Sequence, residues 1–171
     1  AREYGTPLYV MSETDIIERF SQLRKEFTDK YPKTRVAYAC KAFCNMAMLK
    51  LCEKEGMCID VVSGGELYTA IKAGFPAERI EFNGNNKLLE ELSAAIDYGI
   101  GRIIIDGIGE LELIEKICRE KNKKVKVLYR ITPGIKADSH DYIVTGKKDS
   151  KFGMPQDEDS LYREVKKALD S

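Results

Sequence analysis

Lys41 closes the apolar run Val36-Ala37-Tyr38-Ala39-Cys40-Lys41, just ahead of a helical pattern. A lysine at the C-terminal end of a buried strand faces the mouth of an α/β fold. There, partial desolvation disfavours the charged amine and frees it to attack a carbonyl. That is the residue type Schiff-base chemistry requires. Asp60 sits between Ile59 and Val61, and a carboxylate buried there needs a partner. Arg130 follows the alternating run Val125-Lys126-Val127-Leu128-Tyr129, in which Val125, Val127, Tyr129 and Ile131 share one face and Lys126, Leu128 and Arg130 the other.

The elements that would position these groups recur regularly. Candidate strands begin near Val36, Ile59, Ile80, Arg102 and Val125, 21 to 23 residues apart. Between them Leu67, Ala70, Ile71 and Gly74, then Leu88/Leu89, Leu92 and Ile96, then Leu111, Ile114, Ile117 and Cys118 make helical stripes. Gly56, Gly74 and Gly99 stand just past helix ends. Ahead of the repeats, Ser12-Glu13-Thr14-Asp15 opens a helix whose buried face is expected at Ile16, Phe20, Leu23 and Phe27, and Thr6–Val10 reads as a short extra strand.

Strand–helix alternation at this period implies right-handed βαβ units and a parallel sheet. A doubly wound open sheet and a (β/α)8 barrel both satisfy that, and side-chain parity favours the barrel. Ala37, Ala39 and Lys41 share a face whose small residues leave room in a lumen, and Arg130 points inward near its top. The top rim then gathers Lys41, Asp60, Ser63, Asn83, Asn85, Asn86, Asp106, Arg130 and Thr132, where barrel enzymes place their chemistry. Five repeats and a sixth helical pattern (Leu161, Val165, Ala168, Leu169) fit the chain. The expectation is a partial (β/α)8 barrel of about five to six βα units, the N-terminal piece of a longer protein. Gly64-Gly65 reads as a tight strand-to-helix turn rather than a phosphate cradle.

Composition narrows the rest. Lys+Arg and Asp+Glu both number 28, so no net field recruits nucleic acid or an anionic membrane. No apolar run approaches a membrane span of ~20 residues, and Ala1–Gly5 carries no apolar leader, so the expected setting is cytoplasmic. The five cysteines (Cys40, Cys44, Cys52, Cys58 and Cys118) read as free thiols, and with His140 the lone histidine no metal site is expected.

Six segments resemble one family in order along the chain: Tyr4–Val10, Val36–Phe43, Asp60–Leu67, Asn83–Lys87, His140–Gly146 and Lys151–Gly153. Together they are similar to the diaminopimelate decarboxylases, barrel-type pyridoxal-phosphate enzymes of the alanine-racemase-like group. The resemblance implies a carboxy-lyase that converts meso-diaminopimelate to L-lysine and CO2 with pyridoxal 5'-phosphate. Lys41 matches the lysine that carries the cofactor, while Asp60 and Arg130 match polar positions beside it. The loop holding His140, Thr145 and Gly146 resembles a lid over the substrate. The same likeness implies that residues 1–11 form the leading strand of a β-domain and residues 12–171 the first part of the cofactor-binding barrel. It also implies a small amino-acid substrate and a homodimer for the whole protein, with the remaining cofactor contacts beyond Ser171. Two alternatives stay open: another barrel-type decarboxylase acting on ornithine, arginine or carboxynorspermidine, and a non-catalytic pyridoxal-phosphate-binding barrel fragment.

Overall fold

The computed structural model describes residues 1–134, 152–155 and 158–170. His140, Thr145, Gly146 and Lys151 lie outside the described residues. Helix α1 (Glu13–Leu23) starts at Ser12, whose side chain accepts from the Asp15 amide at 3.2 Å. Then come β1 (Ala37–Ala39), α2 (Met46–Lys54), β2 (Cys58–Val61), α3 (Gly64–Lys72), β3 (Ile80–Phe82), α4 (Leu89–Tyr98), β4 (Arg102–Ile105), α5 (Glu110–Lys121) and β5 (Val127–Tyr129). A short pair, β6 (Ile131–Thr132) with β7 (Met154–Pro155), and helix α6 (Glu158–Asp170) complete the set.

The five long strands pair in parallel in the order β1-β2-β3-β4-β5. A doubly wound sheet reverses its order at a switch point. Each strand here lies beside its sequence neighbour without reversal, so the sheet is a barrel wall. Gly56, Gly74 and Gly99 take the left-handed conformation expected of them past helix ends.

One face of the sheet is dry. Ile59, Val61, Ile80, Phe82, Ile103 and Ile105 are fully buried against Leu67, Ala70, Leu92, Ile96, Leu111, Ile114 and Ile117 from the helices. The opposite face carries, in register, Ala39 beside Asp60, Asp60 beside Glu81 and Glu81 beside Arg102, with Ile104 beside Leu128. A continuous apolar layer thus meets the helices, and a mixed, partly charged layer lines the lumen. Leu128, on the lumen face of the edge strand, is exposed.

Two expectations are corrected. Thr6–Val10 forms no strand, and Tyr9 and Val10 are 97% and 82% exposed. A strand needs a partner edge, and none of the described residues offers one there. In α1 only Phe20 is buried and Ile16 packs beside it, while Leu23 and Phe27 are exposed. The helix widens into a π-helical stretch over Arg24–Thr28, which breaks the 3.6-residue period ahead of Phe27. The sixth helical pattern is met by α6, in which Ala168 packs on the core and Val165 and Leu169 are exposed.

Candidate functional site

Strand β1 ends at Ala39, and Lys41 sits on the following 3₁₀ turn, Cys40–Ala42, rather than in the strand itself. The Tyr38 hydroxyl donates to the Phe43 carbonyl at 2.9 Å and pins the far side of that turn. Cys40 is buried beneath the turn, so the chain is anchored on both sides of Lys41. The lysine side chain is exposed, and the desolvation expected of it is not present in this open wall. Its neighbours Cys40 and Cys44 have thiols pushed up mainly by burial, so they stay protonated.

Asp60 lies one strand over, next to Ala39 in register. Burial, followed by the nearby Glu81 carboxylate, raises its pKa from 3.8 to about 6; a hydrogen bond from Asn83 and the charge of Lys41 oppose the rise, and Glu66 adds to it. Its Oδ1 is buried without a hydrogen-bond partner among the described residues. Such an atom is costly unless something donates to it. Asn83 is itself aimed by the next residue: the Gly84 amide donates to Asn83 Oδ1 at 2.9 Å. Gly84 holds φ at +114°, and a Cβ there would come within 2.9 Å of the Val62 carbonyl oxygen, so only glycine lets the β3 loop approach β2 this closely.

Because folding raises the Asp60 pKa, the folded chain holds this proton more tightly than the unfolded one. The stability contribution of the group therefore falls as pH rises from about 4 to about 6 and stays low above that. Asp60→Asn, which mimics the protonated form, is expected to stabilise the chain at pH 7.5 by about 1–2 kcal/mol, after discounting for partial exposure. Near pH 4 the two proteins should converge. Urea unfolding at both pH values checks this, and equal stabilities at pH 7.5 would show that Asp60 is not desolvated.

A guanidinium set inward by parity needs a carboxylate, and the structure supplies Asp106. Arg130 Nη1 meets Asp106 Oδ1 at 3.0 Å, and its guanidinium lies 4.5 Å from the Phe152 ring centre. Asp106 ends the adjacent strand β4, whereas Asp60 is on β2, three strands from β5. The other Asp106 oxygen accepts from the Gly153 amide at 2.9 Å, and the Met154 amide donates to the Arg130 carbonyl at 2.8 Å. Thr132 donates to the Phe152 carbonyl. Asp106, Arg130 and Thr132 thus tie residues 152–154 to the top of the wall.

Of the other rim residues, Ser63 caps α3 by accepting from the Glu66 amide at 3.3 Å, and Asn85 and Asn86 are exposed. The Gly64 amide donates to Glu91 at 2.6 Å, in keeping with a tight turn at Gly64-Gly65.

Sequence reasoning missed the most buried cation of the rim. The Lys87 side chain is 1% exposed; its Nζ donates to the Gly84 and Ile104 carbonyls at 2.7 and 2.8 Å and pairs with Glu110 Oε1 at 2.7 Å. Glu110 Oε2 accepts from the Asp106 amide at 3.0 Å, as Glu66 accepts from the Val62 amide at 2.7 Å. Both glutamates stand four residues past a strand-end amide, a spacing that could have singled them out. Glu81, paired with Arg102 at 3.2 Å on the lumen face, was also passed over. The period-2 pattern that set Asp60 inward does the same for both.

A family model described as pyridoxal-dependent decarboxylase, pyridoxal binding domain, matches residues 13–170. The chain is 50% identical over 171 residues to a diaminopimelate decarboxylase of Bacillus subtilis (strain 168), covering 100% of this chain and 39% of that protein. A diaminopimelate decarboxylase from M. jannaschii, solved in complex with L-lysine, superposes with a TM-score of 0.84 at 38% identity, over 99% of this chain and 40% of the other. One from Helicobacter pylori, also with L-lysine, gives 0.83 at 32% identity, over 94% and 40%. The chain spans about two fifths of the length of these relatives.

Proposed function

The chain belongs to the pyridoxal-dependent decarboxylases, by their pyridoxal-binding domain, and from that we propose that it is the first part of the barrel of a diaminopimelate decarboxylase. In this reading residues 12–171 build the wall that receives pyridoxal 5'-phosphate, and residues 1–11 lead into a β-domain. The whole enzyme is then a cytoplasmic homodimer that takes meso-diaminopimelate to L-lysine and CO2.

The observation that carries the proposal is the nearness of an exposed lysine, on the turn after β1, to a buried carboxylate oxygen of the adjacent strand that has no hydrogen-bond partner among the described residues, beside the small residues Ala37 and Ala39. The site residues fit the cofactor. Lys41 would hold it through its amine, and Asp60 Oδ1 would accept a hydrogen bond from it or balance its positive charge. Arg130, fixed by Asp106, adds a cation to the rim. When bound, pyridoxal phosphate supplies the sink for the electron pair left as CO2 departs. The protein's part is to orient the bond that breaks, exclude water and return a proton. His140, Thr145 and Gly146 are placed by this reading over the substrate.

Substrate choice is the test that matters most. The protein carrying this chain, loaded with pyridoxal phosphate, is expected to release CO2 from meso-diaminopimelate with a kcat/KM on the order of 10²-fold or more above that for ornithine, arginine or carboxynorspermidine. Preference for one of those three would move the assignment to the related decarboxylase. Cofactor binding without turnover of any would leave a binding module.

A further inference from the structure

The lumen face carries a row of charges that the candidate site does not account for. Asp60, Glu81 and Arg102 are register partners on three successive strands, their side chains on the same face. Neighbouring strands lie about 4.8 Å apart, so each charge in the row is felt by the next. Glu81 and Arg102 form an ion pair at 3.2 Å, and their side chains are 22% and 30% exposed. Neither touches the turn that carries Lys41.

We propose that Glu81 and Arg102 are positioning residues that act through Asp60: the ion pair sets how much negative charge Asp60 presents to a cationic or hydrogen-bond-donating ligand held beside Lys41. The inference rests on the cofactor reading for the identity of that ligand, not for the charge relay itself. The groups facing Asp60 are few. Lys41 on the turn after β1 and Asn83 at the end of β3 favour its ionised form, while Glu66 on α3 and Glu81 on β3 oppose it. Among these Glu81 is the largest opposing charge, and Arg102 is the group that holds it. With Arg102 in place, part of the Glu81 field is cancelled and Asp60 is ionised over the neutral pH range. Without it, two carboxylates face each other across adjacent strands and Asp60 retains its proton to higher pH.

The assignment also explains why a charged pair sits where the barrel centre otherwise carries Ala37, Ala39, Ile104 and Leu128. An ion pair whose only role was packing would be replaceable by apolar residues of similar volume without loss. A pair that tunes a neighbour would not.

The test needs no activity. The carboxyl carbon of Asp60 is followed by ¹³C NMR across pH in the protein that carries this chain, without cofactor. A midpoint near 6 is expected for the unchanged chain. Glu81→Gln, which keeps shape and removes charge, should lower the midpoint by about one unit, and Arg102→Gln should raise it by about one unit. The double variant, which removes both fields, should fall between the two single variants. The exposed Asp97→Asn, on the far side of α4, should leave it unchanged. Should Arg102→Gln not fold, the Glu81→Gln arm decides by itself. Midpoints that stay put in Glu81→Gln, or that move in the same direction in both single variants, overturn the proposal. A second titration separates the two readings: the pyridoxal phosphate Kd is measured against pH in the same variants. If the NMR midpoints move as expected and the Kd does not follow them, the relay stands and the place of Asp60 in the cofactor site falls.

Discussion

Borohydride added to the protein after incubation with pyridoxal phosphate is expected to fix the cofactor on Lys41, and Lys41→Ala is expected to abolish both the trapped label and decarboxylation. The labelled tryptic peptide should run from Val36 to Lys50, because trypsin does not cut at a modified Lys41. The prediction follows from accessibility as much as from resemblance. Lys41 is exposed at the rim on a turn anchored by Cys40 and by the Tyr38–Phe43 hydrogen bond, so its amine reaches the lumen from a fixed base. Lys87, the other rim lysine, is buried and committed to two carbonyls and Glu110, which removes it as a competitor. An exposed side chain that packs on nothing contributes little to folding, so Lys41→Ala should change stability by no more than about 0.5 kcal/mol. Loss of label with unchanged unfolding therefore means loss of the nucleophile. Label on any other lysine, with Val36–Lys50 clean, would overturn the assignment.

The parts of this fold that could be read from sequence are those written in short-range periodicity. The strand spacing, the dry face of Ile59, Val61, Ile80, Phe82, Ile103 and Ile105, and the inward set of Asp60 and Arg130 all follow from alternation within a few residues. So does the helix start at Ser12. What stayed hidden depends on which distant groups meet. Arg130 could be set inward by parity, but its choice of Asp106 over Asp60 is decided by strand order and by how far each strand runs toward the top. Lys87 sits in Asn83-Gly84-Asn85-Asn86-Lys87, a polar string that reads as a solvated loop. Only the folded chain shows the loop turning back to bring Lys87 under Ile104 and onto Glu110. The π-helical stretch at Arg24–Thr28 has no periodic signature in advance, and it takes Phe27 off the stripe that Ile16 and Phe20 begin.

Breaking the buried Lys87–Glu110 pair is expected to have a large effect on stability. Glu110→Ala leaves a 1%-exposed ammonium with two carbonyls but no counter-charge, and it also removes the acceptor for the Asp106 amide. Breaking one side of such a pair costs about 3–5 kcal/mol, which for a chain of this size is a fall in Tm of roughly 6–20 °C. Lys87→Met breaks the pair from the other side: it strands the buried Glu110 Oε1 and leaves the Gly84 and Ile104 carbonyls without their donor, at a comparable cost of about 3–5 kcal/mol. The double variant Lys87→Met/Glu110→Gln removes both charges while retaining an oxygen for the Asp106 amide. It should therefore be more stable than Glu110→Ala alone, and its loss should be well below the sum of the losses of Lys87→Met and Glu110→Gln measured singly. The pair also bears on the site. Lys87 fixes Gly84, whose amide orients Asn83 toward Asp60, and Glu110 fixes the backbone of Asp106, which holds Arg130. Loosening either end should thus raise the Asp60 midpoint in the same NMR titration, since Asn83 would no longer be held to donate to it. Strictly additive losses in the double variant, with the Asp60 midpoint unmoved, would show that the carbonyls alone hold Lys87 and that the rim is not coupled through it.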